Sequence, residues 1–200
     1  QVFEDIGLTF GSSLRSILRQ DPDVLLIGEI RDEETADIAV KFSLTGHLVF
    51  STVHANDAPS TITRLLDLGI PPFLLGSSLN LVMAQRLIRT IDKDSKEKYT
   101  PTNEELERMN LTKDANKIDF YRGKPTNSNH NTGYKGRTAI HEILQVNSDM
   151  RQLIYENANQ NAIYETAMKN GMTPLRDAGI DKIKSGVTTI DEILRATVED

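Results

Sequence analysis

The sequence contains no cysteine. Disulfides and thiolate metal sites are therefore excluded. It has no apolar run long enough to cross a membrane and no secretory leader pattern. Neither sign of charge dominates: 23 Lys and Arg stand against 29 Asp and Glu, a formal net charge of -6. That balance argues against a broad electrostatic hold on nucleic acid, and no basic groove interleaved with aromatics is present. The mild acidic excess serves solubility. Also missing is any G-x-x-x-x-G-K-[ST] loop, whose backbone amides and lysine would cradle phosphates.

What remains is an ordinary globular composition. The 200 residues are 38% hydrophobic and 26% charged, enough for one domain or one and a half. The chain opens on Gln1 within an apparently ordered stretch, and so reads as part of a longer protein.

Residues 1 to 91 alternate between helix and strand signals. Thr9 is placed to cap a helix with Phe10, Leu14, Ile17 and Leu18 near helical spacing, and Asp21-Pro22 stops it. Val24 to Ile30 is a continuous apolar run, as in a parallel strand covered on both faces. Asp32 caps a helix through Leu44, with Gly46 beyond it. Leu48 to Val53 forms a second strand. Asp57 caps a further helix that has Pro59 early and Gly69 after it. Pro71-Pro72 opens a helix expected to run from Phe73 to about Ile91. Strands alternating with helices imply an α/β parallel sheet.

Composition changes at Asp92. Residues 92–137 are charged, rich in Asn, Gly and Thr, and poor in apolar residues, with one short helix expected at Glu104 to Met109. This stretch reads as a small irregular insert. From Thr138 the pattern reads as helical to the end. Helices open at Ser148, Asn161 and Thr173-Pro174, and a last one runs from Ile190 to Ala196 behind a Thr189–Glu192 capping box. The expected division is 1–91, 92–137 and 138–200.

The chemistry centres on DPDVLLIGEIRD. An apolar run ending in a charge is costly unless the charge is paired or placed at a site. Glu29 stands at the carboxyl end of a parallel strand, where open α/β sheets bind ligands. Gly28 before it leaves room for a close approach. A strand-tip carboxylate is the pattern of a Walker B strand serving a nucleotide's Mg²⁺ and attacking water. Taken alone, the plainer role of a surface or structural glutamate is commoner. The second strand ends in Ser51, Thr52, His54, Asn56 and Asp57, at the same edge as Glu29. His54 is placed to hydrogen-bond a phosphate oxygen. His47 precedes that strand and falls toward the other edge, where a turn or cap role suits it better. Arg15, Arg19, Arg31, Arg64 and Arg86 are candidates for phosphate or subunit contacts. Salt bridging is the plainer alternative: Arg31 has Glu29, Asp32 and Glu33 close by.

LRSILRQDPD followed by GEIRD, then TGHLVFSTVHANDA, AQRLIRT, TGYKGR and GMTPLRDAGIDKIKSGVTTIDEILRAT occur in this order. Together they resemble the secretion ATPases of bacterial type II secretion and type IV pilus assembly, over nearly the whole chain. The resemblance implies an α/β fold, the C-terminal half of a RecA-like P-loop ATPase domain, followed by a small insert and an all-α C-terminal domain. It implies ATP and Mg²⁺ as ligands and a homohexameric ring at the cytoplasmic face of the inner membrane. Implied partners are a membrane platform protein and cytoplasmic adaptor proteins. By motif, Glu29 would polarise the attacking water, His54 would lie near the γ-phosphate, and Gly28, Arg31 and His47 would belong to the nucleotide site. The family's phosphate loop and arginine-lending N-terminal domain would precede Gln1, so the chain alone is expected to hydrolyse little or no ATP.

The family often carries a four-cysteine zinc site between AQRL and the GY-x-GR motif. Here Asp92, Ser95, Thr126 and Asn129 occupy those positions, with Ser128 in place of Asn129 if the alignment shifts by one. Structural zinc sites want Cys or His, so no zinc is expected. The stretch is expected either to be mobile or to use the hydrogen bonds of its polar substitutes. RTIDKDSKEKY and the C-terminal motif stand slightly closer to the secretion branch than to pilus extension.

Overall fold

A computed structural model describes residues 10–20 and 22–197. In chain order the elements are α1 (Phe10–Leu18), β1 (Val24–Ile27), α2 (Glu33–Leu44), β2 (Leu48–Ser51), α3 (Ala58–Asp67), α4 (Pro72–Ser78), β3 (Leu81–Ile91), β4 (Lys96–Lys98), α5 (Asn103–Arg108), β5 (Tyr121–Gly123), β6 (Tyr134–Gln145), α6 (Ser148–Tyr155), α7 (Gln160–Lys169), α8 (Leu175–Lys184) and α9 (Ile190–Ala196). Two compact units result. Among the described residues, one holds those up to 82 with 144–172, the other 83–143 with 173–197. The contacts thus divide the chain elsewhere than its composition does: α6 and α7 join the first unit, while the irregular stretch and α8–α9 share the second.

In the first unit β1 and β2 pair in parallel, from Val24 opposite Leu48 to Ile27 opposite Ser51. Leu25 and Ile27 are buried, as are Ala36, Ala39 and Val40 of α2. The expectation of a strand covered on both faces fails. Val24 and Leu26, with Leu48 and Phe50 opposite them, are 48–76% exposed. Only alternate residues of β1 meet this chain's core. Local signals serve the helices better. The Asp32 carboxylate accepts from Thr35 N at 2.8 Å and caps α2. Asp57 accepts from Ser60 N at 2.7 Å, and Ser60 returns the bond. Of α1's expected apolar face, Leu14 is buried and Ile17 is 47% exposed. Thr9, Asp21 and the side chains of Phe10, Arg15 and Leu18 lie outside the described residues. Helices α4 and α6 pack together, as do α3 and α7. Tyr155 lies over Gly76 and its hydroxyl meets Ser77 Oγ at 3.2 Å.

The second unit departs most from expectation. No helix runs from Phe73 to Ile91: α4 ends at Ser78 and β3 follows. The stretch expected to be helical from Thr138 instead begins inside β6. These strands pair with each other, antiparallel, since His141 meets Gln85 while Lys135 meets Thr90. Both carry apolar residues on both faces. In β6 a buried Glu142, which accepts from Leu175 N at 3.2 Å, interrupts the inward series Ile140, Leu144. That disguises the period of two, and the strand partner lies more than forty residues away, beyond any local signal. Ile88 and Ile140 join Leu106, Met109, Phe120, Ile183, Ile190 and Ile193 in one core. The 92–137 stretch contributes to that core. It holds the antiparallel β4–β5 pair and α5, capped reciprocally by Thr102 and Glu105.

The Thr189–Glu192 capping box forms only half. Thr189 Oγ1 accepts from Glu192 N at 3.2 Å, but the fully buried Glu192 carboxylate goes to Arg89 and Arg195 at 2.6 Å each and to Arg89 N at 2.8 Å. Burial pushes its pKa up, and the two guanidiniums overcome this, bringing it down to about 2.

Candidate functional site

The carboxyl ends of β1 and β2 lie side by side because the strands are parallel and in register. Past the strand ends, Ile30 N donates to Thr52 O at 2.9 Å and Thr52 Oγ1 donates to Gly28 O at 2.7 Å. The chain segments 28–31 and 52–54 are thereby held together. Glu29 Oε2 lies 3.1 Å from His54 Nε2, and Glu29 Oε1 lies 2.5 Å from Arg31 Nη2. The adjacent Arg31 guanidinium holds the Glu29 carboxyl below its ordinary range against the cost of partial burial, with His54 adding to the effect. An ionised carboxylate can only accept, so His54 Nε2 is the donor.

The three side chains are 32%, 71% and 88% exposed for Glu29, Arg31 and His54. Exposed pairs of this kind contribute little to stability, because solvent screens them and ordering two mobile side chains offsets the gain. Stability does not account for their convergence, whereas a carboxylate held ionised at an open strand edge can accept a proton or orient a water. Gly28 is exposed, and a methyl placed on it would meet nothing within 4 Å. Space is left beside Glu29, and this chain's own backbone does not fill it.

His47 does not join this cluster. Its ring stacks on Phe42 at 3.9 Å, and Nδ1 sits 2.9 Å from Thr45 Oγ1 and 3.3 Å from Phe42 O. It closes the turn between α2 and β2, at the opposite edge from His54. Of the five candidate arginines, Arg31 reaches Glu29. Arg19 and Arg64 are exposed, Arg86 lies in the second unit, and the Arg15 side chain is outside the described residues. The residue that sequence reasoning passed over is Thr52. It was one polar residue in a cluster, and nothing in the sequence singles out its hydroxyl as the link to Gly28.

The four residues at the zinc-type positions do converge, through hydrogen bonds. Asn129 Nδ2 donates to Asp92 Oδ2 at 3.0 Å, Ser95 Oγ at 3.1 Å and Lys124 O at 2.9 Å. Its Oδ1 accepts from Thr126 N at 2.9 Å and Gly133 N at 3.1 Å. Ser95 Oγ donates to Asp92 Oδ2 at 3.2 Å. Asp92 and Asn129 are each 2% exposed. The Asn129 amide lowers the Asp92 pKa. Gly123 and Gly133 cross so closely that a methyl on either would overlap the other's carbonyl oxygen.

With this geometry in place, comparison with known proteins is informative. Residues 1–195 match the model of the Type II/IV secretion system protein family, and the chain belongs to that family. It is 45% identical over 199 residues to the type II secretion system ATPase E of Vibrio cholerae serotype O1, covering 100% of this chain and 39% of that protein. It is 43% identical over 200 residues to the type IV pilus assembly ATPase PilB of Thermus thermophilus, covering 100% of this chain and 22% of that protein. The chain thus spans well under half of each relative. Among solved structures, the pilus retraction motor PilT with bound ADP aligns with a TM-score of 0.65 at 27% identity, over 96% of this chain and 44% of that one. The Legionella pneumophila ATPase DotB aligns with a TM-score of 0.64 at 18% identity, over 92% and 41% respectively, a likeness of fold alone. The α/β ATPase-fragment fold read from the sequence is therefore the fold observed. Among the described residues no helix is long and apolar enough to cross a membrane.

Proposed function

We propose that this chain supplies the water-activating edge of the ATP site in a bacterial secretion motor. Glu29 is the base that polarises the attacking water, and His54 both orients Glu29 and approaches the γ-phosphate. Arg31 holds the carboxylate ionised and stands ready for a phosphate or a neighbouring subunit. The observation that carries this reading is the meeting of Glu29 and His54 at 3.1 Å on adjacent parallel strand ends. The names of the relatives and the ADP in the PilT structure support it.

ATP fits this edge as substrate, since one ionised carboxylate and two nitrogen donors suit a water beside a terminal phosphate. Mg²⁺ fits it less well. Gly28 stands before Glu29, and the described residues gather no set of three His, Asp or Glu. Most magnesium ligands must then come from the nucleotide, from water or from outside this chain. The phosphate cradle is likewise absent from this sequence, so the 200-residue chain by itself is inactive in this reading.

Type II secretion is the assignment we prefer, with a hexameric ring acting on a platform protein at the inner membrane. Type IV pilus extension is the alternative, favoured by the pilus relative at 43% identity. In the full-length protein, Glu29→Gln should keep ATP affinity and lower turnover by about 100-fold or more. Turnover near wild type would overturn the role given to Glu29. Rescue of secretion or of piliation in the corresponding deletion strain separates the two assignments.

A further inference from the structure

The end of the β1–β2 ladder is irregular in a way that bears on Glu29. Leu48 N donates to Asp23 O at 3.1 Å, the residue before Leu48's partner Val24. A regular parallel strand then accepts back from the residue after the partner. Two steps on in each case, Thr52 falls opposite Gly28 and should accept from Glu29 N. It accepts instead from Ile30 N. One extra residue has entered the β1 side. Burial reports the same slip: Leu25 and Ile27 face the core two apart, and the next buried residue is Ile30, three further on. This is a bulge, and Glu29 occupies it. Bulges re-aim a side chain beside functional sites.

The bulge is closed by one side chain. With the ladder shifted, the Gly28 carbonyl is bound at 2.7 Å by the Thr52 hydroxyl, while the Thr52 carbonyl holds Ile30 N on the far side of Glu29. Thr52 therefore brackets Glu29 at both ends, two residues before His54 on the same chain segment. We infer that Thr52 is the positioning residue of this site: its hydroxyl fixes the bulge that presents the Glu29 carboxylate to His54. The inference rests on the proposed role of Glu29 and adds the device that aims it.

The test uses the full-length protein and three variants. Thr52→Val keeps the shape and the strand preference but removes the hydroxyl; Thr52→Ser keeps the hydroxyl; Glu29→Gln runs alongside. Misplacement of a reacting group by about an ångström costs on the order of 100-fold, so Thr52→Val is expected to lower kcat for ATP by about 30-fold or more. Nucleotide Kd should move by less than about threefold, and Thr52→Ser should recover kcat to within about threefold of wild type. The inference is overturned if Thr52→Val keeps its kcat, if kcat and affinity fall together, or if serine fails to rescue. Loss of folding also overturns it, because an exposed hydroxyl acting only on the bulge leaves the rest of the unit intact. If Glu29→Gln is inactive and Thr52→Val is active, only this inference falls. If Glu29→Gln is active, the proposed function falls with it.

Discussion

Replacing Asn129 with alanine removes an amide whose two N–H hydrogens are shared among Asp92, Ser95 and Lys124 and whose oxygen accepts from Thr126 N and Gly133 N. Two of these contacts are fully buried, those to Asp92 and from Gly133. Losing the second strands the Gly133 amide away from water at about 1–3 kcal/mol, and losing the first weakens Asp92, which keeps its bonds from Ser95 Oγ and Asp94 N, by about 1 kcal/mol. The other three contacts are partly open to solvent and, since two of them share the amide hydrogens, are together worth about 1–2 kcal/mol. Water entering the space left by the amide recovers part of this, so the expected loss is about 4 kcal/mol, at the upper end of what single substitutions do. Urea unfolding followed by circular dichroism measures it, and amide exchange at Gly133 locates it. A loss below about 1 kcal/mol, or unchanged exchange at Gly133, would refute the view that Asn129 holds this turn together. Asn129→Asp sharpens the test. It keeps the acceptor and the shape but sets a second carboxylate against Asp92. In the wild type the depressed Asp92 pKa makes its contribution present at neutral pH and lost as pH falls through the folded value. Two facing carboxylates reverse the sign, since one must take a proton more readily. The variant should therefore be weak at pH 7 and recover on mild acidification. Hydrogen bonds carry the turn in this account, so a zinc chelator should leave the wild-type midpoint unmoved.

Three further outcomes are expected. Glu192, with its folded pKa at about 2 against an ordinary value of 4.5, contributes about 3 kcal/mol that is complete above about pH 5 and lost as pH falls toward 2; Glu192→Gln should lower the neutral-pH stability by a similar amount and flatten that acid limb. Gly123→Ala should destabilise by about 3 kcal/mol or more, because its methyl meets the Gly133 backbone and not a movable side chain; a change within 1 kcal/mol of wild type would show that the crossing can open. His47→Ala should cost about 1 kcal/mol for the lost ring stack and leave ATP turnover of the full-length protein within about twofold. A large fall in turnover at full nucleotide affinity would return His47 to the site.

Which parts of the fold the sequence reveals depends on the range of the interaction. Asp32, Asp57 and Thr102 each cap a helix through a bond three residues away, and such signals are complete within a short window. Strands β3 and β6 depend on each other across more than forty residues. Their outward positions, Met83, Leu87 and Ile143, are as apolar as their inward ones, so neither window carries a clean period. The Glu29–His54 meeting was legible because strand order and direction alone bring the two strand ends to one edge. The bulge was not, because it turns on which amide Thr52 accepts from, and no residue type encodes that. The four positions that the family resemblance matched to a zinc site were legible as positions. What fills them became clear only when one buried amide was seen to serve three acceptors and two donors.

Glu192 and Glu29 each meet two nitrogen-donor side chains, and burial sets the two groupings apart. Glu192 is fully buried between Arg89 and Arg195. Removing both arginines would strand a charge in the interior, which typically costs about 3–5 kcal/mol. That pair cannot exchange partners cheaply and serves to tie α9 to β3. Glu29 has partners that are 71% and 88% exposed, and water can replace either at little cost. Under the proposed function, a γ-phosphate drawing Arg31 or His54 away would work against very little, and would leave the Glu29 carboxylate facing the incoming water. The same chemical grouping is a clamp where it is buried and a switchable contact where it is open. The strand-tip glutamate is the one whose surroundings allow it to change partners during a reaction.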